Sequence, residues 1–206
     1  MKLYLSPGAC SIGIHVLLEE IGKPYETVNI NLRAGEQVQP AYSAINPKHK
    51  VPALQRDDGS VLTEFPAIAY WLAATYPQAA LLPTDPGHTA RAIEYTDYIV
   101  STMHMQGFQR IFRPTNFTPS AADEEKVRDR GKDIFAKGFS VINHSLDGHD
   151  YLVGKFSFAD AALFYVSFWA VANLKMQLPE RCAAHYARML ARPSVTRVMQ
   201  AEGFVA

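Results

Sequence analysis

Pro77, Pro83, Pro86 and Gly87 crowd into residues 77–87, and the hydrophobic pattern changes character across them. Ahead of the cluster, short apolar runs alternate with turn signals. Behind it, apolar residues recur every three or four positions over long stretches. Proline removes a backbone donor and fixes φ, so neither helix nor strand runs through such a cluster. The sequence therefore predicts an α/β domain over residues 1–77, a linker over 78–87 and an all-helical domain over 88–206.

In the first part, Lys2-Leu3-Tyr4-Leu5 predicts a strand that stops at Ser6-Pro7-Gly8. From Ser11 onward, Ile14, Val16, Leu17, Leu18 and Ile21 fall near helical spacing, and Gly22 with Pro24 marks the stop. Tyr25 to Asn31 predicts a second strand, followed by a polar stretch containing Gly35, Pro40 and Pro47. Val51 to Gln55 and Ser60 to Glu64 flank Asp57-Asp58-Gly59, a hairpin signal. Ile68, Trp71 and Leu72 then trace one face of a helix ending near Pro77. The order is β-α-β-(α)-β-β-α, a parallel crossover and then an antiparallel hairpin in a mixed sheet.

Beyond the linker, residues 88–112, 121–146, 157–171 and 179–200 predict helices, the last broken at Arg192-Pro193. Ser157-Phe158-Ala159-Asp160 is a capping box, a device that concerns folding rather than chemistry.

Composition narrows the function. Lys plus Arg and Asp plus Glu are 20 each, so the 206-residue chain has no formal net charge. Nucleic acid and anionic membrane surfaces call for a basic excess, and no segment approaches the roughly 20 apolar residues of a membrane span. The start has no signal-peptide pattern, and Cys10 and Cys182 lie far apart. Those features imply a cytoplasmic protein with free thiols. The seven histidines do not pair with cysteine or acid at ligand spacing, which gives no support to a metal site.

Four places could carry chemistry. Cys10 sits between the first strand and the first helix, where backbone N–H groups and the helix dipole favour thiolate. The alternative is a small buried side chain. Gly13 stands where a second thiol would complete a C-x-x-C pair, so a dithiol cycle is not expected. Val51-Pro52 opens the third strand. A cis peptide there would turn the Val51 backbone outward for an extended peptide to pair with, whereas a trans proline would be an ordinary strand margin. Pro66 suits the first turn of the next helix, so its free amides make an anion site beside the Glu64 carboxylate. An ammonium and a carboxylate on one carbon fit that pairing, although Glu64 could also simply decorate the helix end. Finally Asp97, Ser101, His104 and Phe108 share a helical stripe that calls for water, a partner or a ligand, unless His104 is a solvated or core histidine.

Several segments together resemble the bacterial beta class of glutathione transferases. They are Met1-Lys2-Leu3-Tyr4, the turn Ser6-Pro7-Gly8-Ala9-Cys10-Ser11, Ile45-Asn46-Pro47-Lys48, Val51-Pro52-Ala53-Leu54, and Leu62-Thr63-Glu64 with Ala67-Ile68. Gly154 with Ser157 to Asp160 resembles the capping-box segment of the same superfamily. The resemblance implies a thioredoxin-like domain, an all-α domain and a homodimer. It implies that Cys10 meets the glutathione sulfur, that Val51 pairs with the cysteinyl unit ahead of a cis Pro52, and that Glu64 grips the γ-glutamyl amine. Lys50 would help hold the peptide, and His104 would come from the helical domain. Ser11 and His104 are candidates to stabilise the thiolate beside Cys10.

The chain departs from that pattern at Leu5, at Phe65 and at Asp97, and it lacks a lysine near Ala34-Gly35-Glu36. The Phe65 amide can still donate to the γ-glutamyl carboxylate, but its ring could crowd the site. Asp97 would add negative charge near the γ-glutamyl end. The expected electrophile wall is Phe108, Phe112, Phe117, Tyr165, Phe168 and Trp169, a set that could equally be core. The activity implied is conjugation of glutathione to hydrophobic electrophiles. A thiol transferase or peroxidase working through a mixed disulfide on Cys10, and a non-catalytic carrier, are the alternatives.

Overall fold

The computed structural model describes residues 1–204. Its sheet has the order β2-β1-β3-β4, with β1 (Lys2–Leu5), β2 (Glu26–Asn29), β3 (Ala53–Gln55) and β4 (Val61–Thr63). β1 runs parallel to β2 with Leu3 opposite Thr27, and antiparallel to β3 with Leu3 opposite Leu54. The β3–β4 pair is the expected hairpin, with Leu54 opposite Leu62. Leu3 and Leu54 are fully buried, as period-2 alternation on inner strands requires. The predicted strands are trimmed at their ends. Val51 and Pro52 precede β3 rather than opening it, and the polar stretch forms a 3₁₀ turn at Glu36–Val38 and the short helix α2 (Pro40–Ser43).

Helix α1 (Ser11–Ile21) ends where Gly22 adopts left-handed geometry and returns its N–H to the Leu18 carbonyl. Ile12, Ile14, Val16, Leu17 and Leu18 are all fully buried, the mark of a helix enclosed on every side. It lies against α3 (Phe65–Thr75) on one side and against α7 (Phe158–Phe168) and α9 (Pro193–Ala201) on the other. A Cβ on Gly13 would stand 2.7 Å from the Ala161 carbonyl and 2.8 Å from the Phe65 ring. The position where a second thiol would complete a C-x-x-C pair is thus a close approach between the two halves of the molecule.

After β4, the described residues are helical apart from connecting turns and one isolated bridge between Val153 and Lys155. α4 (Pro86–Asp97) starts at Asp85, whose carboxylate accepts from the Gly87 and His88 amides. Residues Tyr98–Phe108 continue it in π geometry, and α5 (Gln109–Phe112) completes the run. Each π turn takes in an extra residue. The expected stripe is therefore split: Asp97 and Ser101 are exposed, while His104 and Phe108 are buried. α6 (Glu124–Ser145) packs along this run, and α8 (Glu180–Leu190) and α9 flank the predicted break at Arg192. The Arg192 guanidinium forks onto Glu20 at 2.8 and 2.9 Å, tying the start of α9 to α1. None of the described helices is long and apolar enough to cross a membrane.

The capping box at α7 reaches further than its own helix. Asp160 is fully buried and accepts from the Ser157 amide and hydroxyl through Oδ2, and from the Leu152 amide and His185 Nε2 through Oδ1. Removing a buried charge that serves several donors leaves all of them unpaired. Asp160→Ala is expected to cost about 3–5 kcal/mol of folding stability, measured by urea unfolding.

Candidate active site

The loop between β1 and α1 is closed by Ser11. Its buried hydroxyl accepts from the Ser6 amide and donates to the Ser6 carbonyl, both at 3.2 Å. That hydroxyl is therefore committed to shaping the turn, a different task from the thiolate contact expected of it. Cys10 follows the loop as the α1 cap residue, and its thiol donates to the Val51 carbonyl at 3.4 Å. Burial pushes the thiol up to about 12. The Cys10 and Ser11 amides and the Lys50 charge pull the other way and are outweighed. This corrects the lowered value expected from position alone: the amides do face the sulfur, but desolvation of the anion dominates.

Facing this loop, residues 46–52 form a second turn. Buried Asn46 donates to the Lys50 carbonyl at 2.7 Å and accepts from the Lys48 amide at 3.0 Å. The Tyr42 hydroxyl also donates to the Lys50 carbonyl, at 2.6 Å. The Val51–Pro52 peptide is cis. The Val51 carbonyl is turned toward Cys10 rather than outward. The charge of Lys50 is felt at both Cys10 and His104.

Glu64 closes β4 with φ of 70°, a region that a non-glycine residue occupies at a cost. Such strain concentrates where a side chain or amide must be aimed. Its half-exposed carboxylate pairs with Lys48 Nζ at 2.8 Å, and Lys48 also donates to Thr63 Oγ1. Lys48 was not among the expected site residues, because only the fold brings it across from the other turn. The Phe65 ring is directed inward, against Gly13 and Tyr165, with ring centroids 5.2 Å apart for the latter pair. It does not crowd the crevice. The Phe65 amide is in the first turn of α3, where a helix leaves N–H groups without internal partners.

The helical part supplies the opposite wall. His104 Nδ1 lies 3.3 Å from the Tyr165 hydroxyl, and the Gln109 amide donates to His104 Nε2 at 3.3 Å. Burial first, and the Lys50 charge second, push the imidazole down to about 3. His104 is thus a neutral hydrogen-bonding group. Its ring meets Trp169 edge-on at 4.7 Å, Trp169 stacks on Phe108 at 4.2 Å, and Phe108 stacks on Phe112 at 5.6 Å. Tyr165, Trp169 and Phe108 are buried, whereas Phe112 is exposed at the end of the ladder. Of the other expected wall residues, Phe117 sits beneath the Arg110 guanidinium, and Phe168 faces Phe204. Asp97 is exposed and makes no polar contact among the described residues. The arrangement joins Cys10, Lys50, Val51, His104 and Tyr165, with Glu64 within reach of the Cys10 field. No group of three metal-ligating side chains is found among the described residues.

A cleft of about 640 Å³ opens on the far side of the loop, lined by Pro7, His15, Tyr25, Arg197 and Glu202 among others. Most of its charged groups are paired with one another, Glu19 with Tyr25 and Arg197, and Glu202 with His15.

Comparison with known proteins bears on this geometry. The family model "Glutathione S-transferase, N-terminal domain" matches residues 8–75. Glutathione S-transferase GstA of Escherichia coli O157:H7 is 38% identical over 98% of this chain and 99% of its own. A bacterial beta-class glutathione S-transferase from Sphingomonas chungbukensis superposes with a TM-score of 0.85 at 32% identity, each chain covered completely. A glutathione transferase homologue from Sulfitobacter, solved with bound glutathione, gives 0.87 at 30% identity with 97% of both chains covered.

The state of His104 sets an acid limit on stability. An unfolded histidine takes up its proton near pH 6.5, whereas the buried native one resists until about 3. The unfolded chain therefore binds more protons below pH 6.5, so the stability from this residue is complete above that pH. It is lost as pH falls toward 3, by at most about 1.4 kcal/mol per pH unit. His104→Gln is expected to flatten this limb in urea unfolding between pH 6.5 and pH 4.

Proposed function

The chain belongs to the glutathione S-transferase family, and on that premise we propose that it binds glutathione in the crevice between Cys10, Val51, Glu64 and His104, and joins its sulfur to hydrophobic electrophiles. The observation that carries this reading is the 3.4 Å contact between Cys10 Sγ and the Val51 carbonyl, with Lys50 and His104 beside it. It sets a hydrogen-bonding thiol next to the backbone turn at the cis Val51–Pro52 peptide, where a small thiol peptide can be held.

In this reading the peptide lies along the Val51 edge ahead of Pro52. Its γ-glutamyl ammonium pairs with Glu64, taking the place of the Lys48 ammonium, and its γ-glutamyl carboxylate receives the Phe65 amide. Lys50 faces the glycyl end, a cation that stands in for the lysine absent near residues 34–36. The thiol lies between Cys10 and His104, where N–H and S–H donors favour the thiolate over the thiol. The reaction is displacement or addition: the thiol proton passes to solvent, the thiolate forms a carbon–sulfur bond, and a leaving group departs as its anion or the electrophile takes up the electron pair and then a proton from solvent. The ladder of Trp169, Phe108 and exposed Phe112 is the surface against which an apolar electrophile packs.

A Cys10 thiol held protonated is a donor, not an attacking nucleophile, which supports conjugation over a mixed-disulfide mechanism. The inward turn of Phe65 removes the steric motive for a non-catalytic carrier. Ser11 acts through the loop. Apolar Tyr70 on α3 and Ile93 on α4 stand exposed, which supports a homodimer formed through those helices. The buried thiols of Cys10 and Cys182 suit a reducing cytoplasm.

Two substitutions test the assignment. Cys10→Ala is expected to keep conjugation of a chlorodinitrobenzene-type substrate within roughly tenfold while abolishing glutathione-dependent disulfide reduction. Loss of conjugation together with disulfide reduction would place the Cys10 sulfur itself in the reaction and favour the mixed-disulfide mechanism. Glu64→Gln is expected to weaken glutathione binding by about 1.5–3 kcal/mol, the worth of a charged hydrogen bond, read by titration calorimetry.

A further inference from the structure

Gly8 lies two residues ahead of Cys10 and is held from both sides. Its amide donates to Glu202 Oε2 at 2.8 Å, and its carbonyl accepts from the Trp169 indole at 2.7 Å. Both partners come from the helical part of the chain. Glu202 follows α9, and its side chain is only 1% exposed. Its second oxygen, Oε1, meets His15 Nδ1 at 2.8 Å on the inner face of α1. Gly8 itself has φ of +71°, and a Cβ there would stand 2.8 Å from the Phe204 ring. Phe204 in turn packs on Phe168, with centroids 5.0 Å apart. The end of the described chain therefore lies on the back of the loop whose front carries the thiol.

We propose that Glu202 is a positioning residue for the reaction: through the Gly8 amide it fixes the loop that sets Cys10, and the α1 amides around it, against the bound thiol. This rests on the proposed function. A buried carboxylate is costly to desolvate, and it is tolerated here because it serves two donors on different elements. One of them is a loop amide with no strand or helix partner of its own. Trp169 links the same glycine to the aromatic ladder, so Glu202 and Trp169 together transmit the placement of α7 and α9 to the loop. Neither residue of this clamp need touch the peptide for its loss to displace Cys10.

Amide exchange and steady-state kinetics on the full-length protein test the proposal. In Glu202→Ala, the Gly8 and Ala9 amides are expected to exchange at least about tenfold faster. The kcat/KM for chlorodinitrobenzene at saturating glutathione should fall at least about tenfold, more than loss of the Cys10 side chain alone, because the α1 amides are displaced with the loop. The glutathione dissociation constant should stay within about threefold. Glu202→Gln keeps an oxygen within reach of the Gly8 amide and is expected to restore both readouts. Glu202→Asp keeps the charge but is a methylene short, and should not. Ile142→Ala, in the core of α6, gives the effect of lost stability alone and should leave kcat/KM intact.

The proposal is overturned if Glu202→Ala retains kcat/KM within about twofold, or if Gln is as impaired as Ala. It is equally overturned if Ile142→Ala, at a matched fall in Tm, reproduces the loss. Should the alanine variant not fold, an active aspartate variant beside an impaired glutamine variant overturns it. Amide exchange is read without substrate. A wild-type protein lacking transferase activity would therefore sink the assigned reaction while the clamp is still judged by exchange.

Discussion

The site exists because α7 can lie directly against α1. At Gly13 there is no side chain, and the Ala161 carbonyl occupies the space where one would be. That contact sets how far Tyr165 and Trp169 reach across the crevice, and His104 follows because its ring is packed against both. Neither half of the chain holds a complete constellation. Cys10, Val51 and Glu64 come from the sheet-containing part, and His104 from the helical part. The core residues of α1, buried on all sides, are shared by both halves. Docking of the two halves and formation of the site are one event.

The same enclosure decides the chemistry of Cys10. A helix N-terminus is worth at most about 2 kcal/mol to a neighbouring anion. The rise of the thiol from about 9 to about 12 corresponds to roughly 4 kcal/mol in the opposite sense. Burial wins, and the cysteine remains protonated. Position relative to the helix was a sound guide to which amides face the sulfur. It said nothing about how much water would remain there, which depends on Val51 and on the wall contributed from residues far along the chain.

Local signals in the sequence were faithful where the cause was local. Asp57-Asp58-Gly59 gave the hairpin, Gly22 stopped α1, and Ser157 with Asp160 formed the capping box. The crevice was legible in outline through the turn containing Cys10, the Val51-Pro52 pair and Glu64. What escaped was set at a distance. π winding over Tyr98–Phe108 separates Asp97 and Ser101 from His104, and helical counting at 3.6 residues per turn cannot anticipate it. The Phe65 ring had a choice of directions that only the approach of Gly13 settles. Lys48 and Glu64 meet across two turns, and Glu202 meets Gly8 across nearly the whole chain.

The groups arranged about the sulfur position are mostly neutral. His104 is uncharged, Cys10 is a thiol, Tyr165 holds its proton, and Lys50 is the full positive charge that acts on Cys10 and His104. Neutral dipoles fixed in a dry crevice stabilise an anion without the strong solvation that full charges draw in. They also stabilise it moderately. A thiolate loses intrinsic nucleophilicity as its pKa falls, with a Brønsted coefficient of about 0.4–0.5, so the most reactive sulfur has a pKa near the ambient pH. A cradle of cations would populate the anion and blunt it. In the proposed reaction, one lysine and a set of neutral donors hold the sulfur anion while leaving its electron pair available to a carbon electrophile on the aromatic ladder.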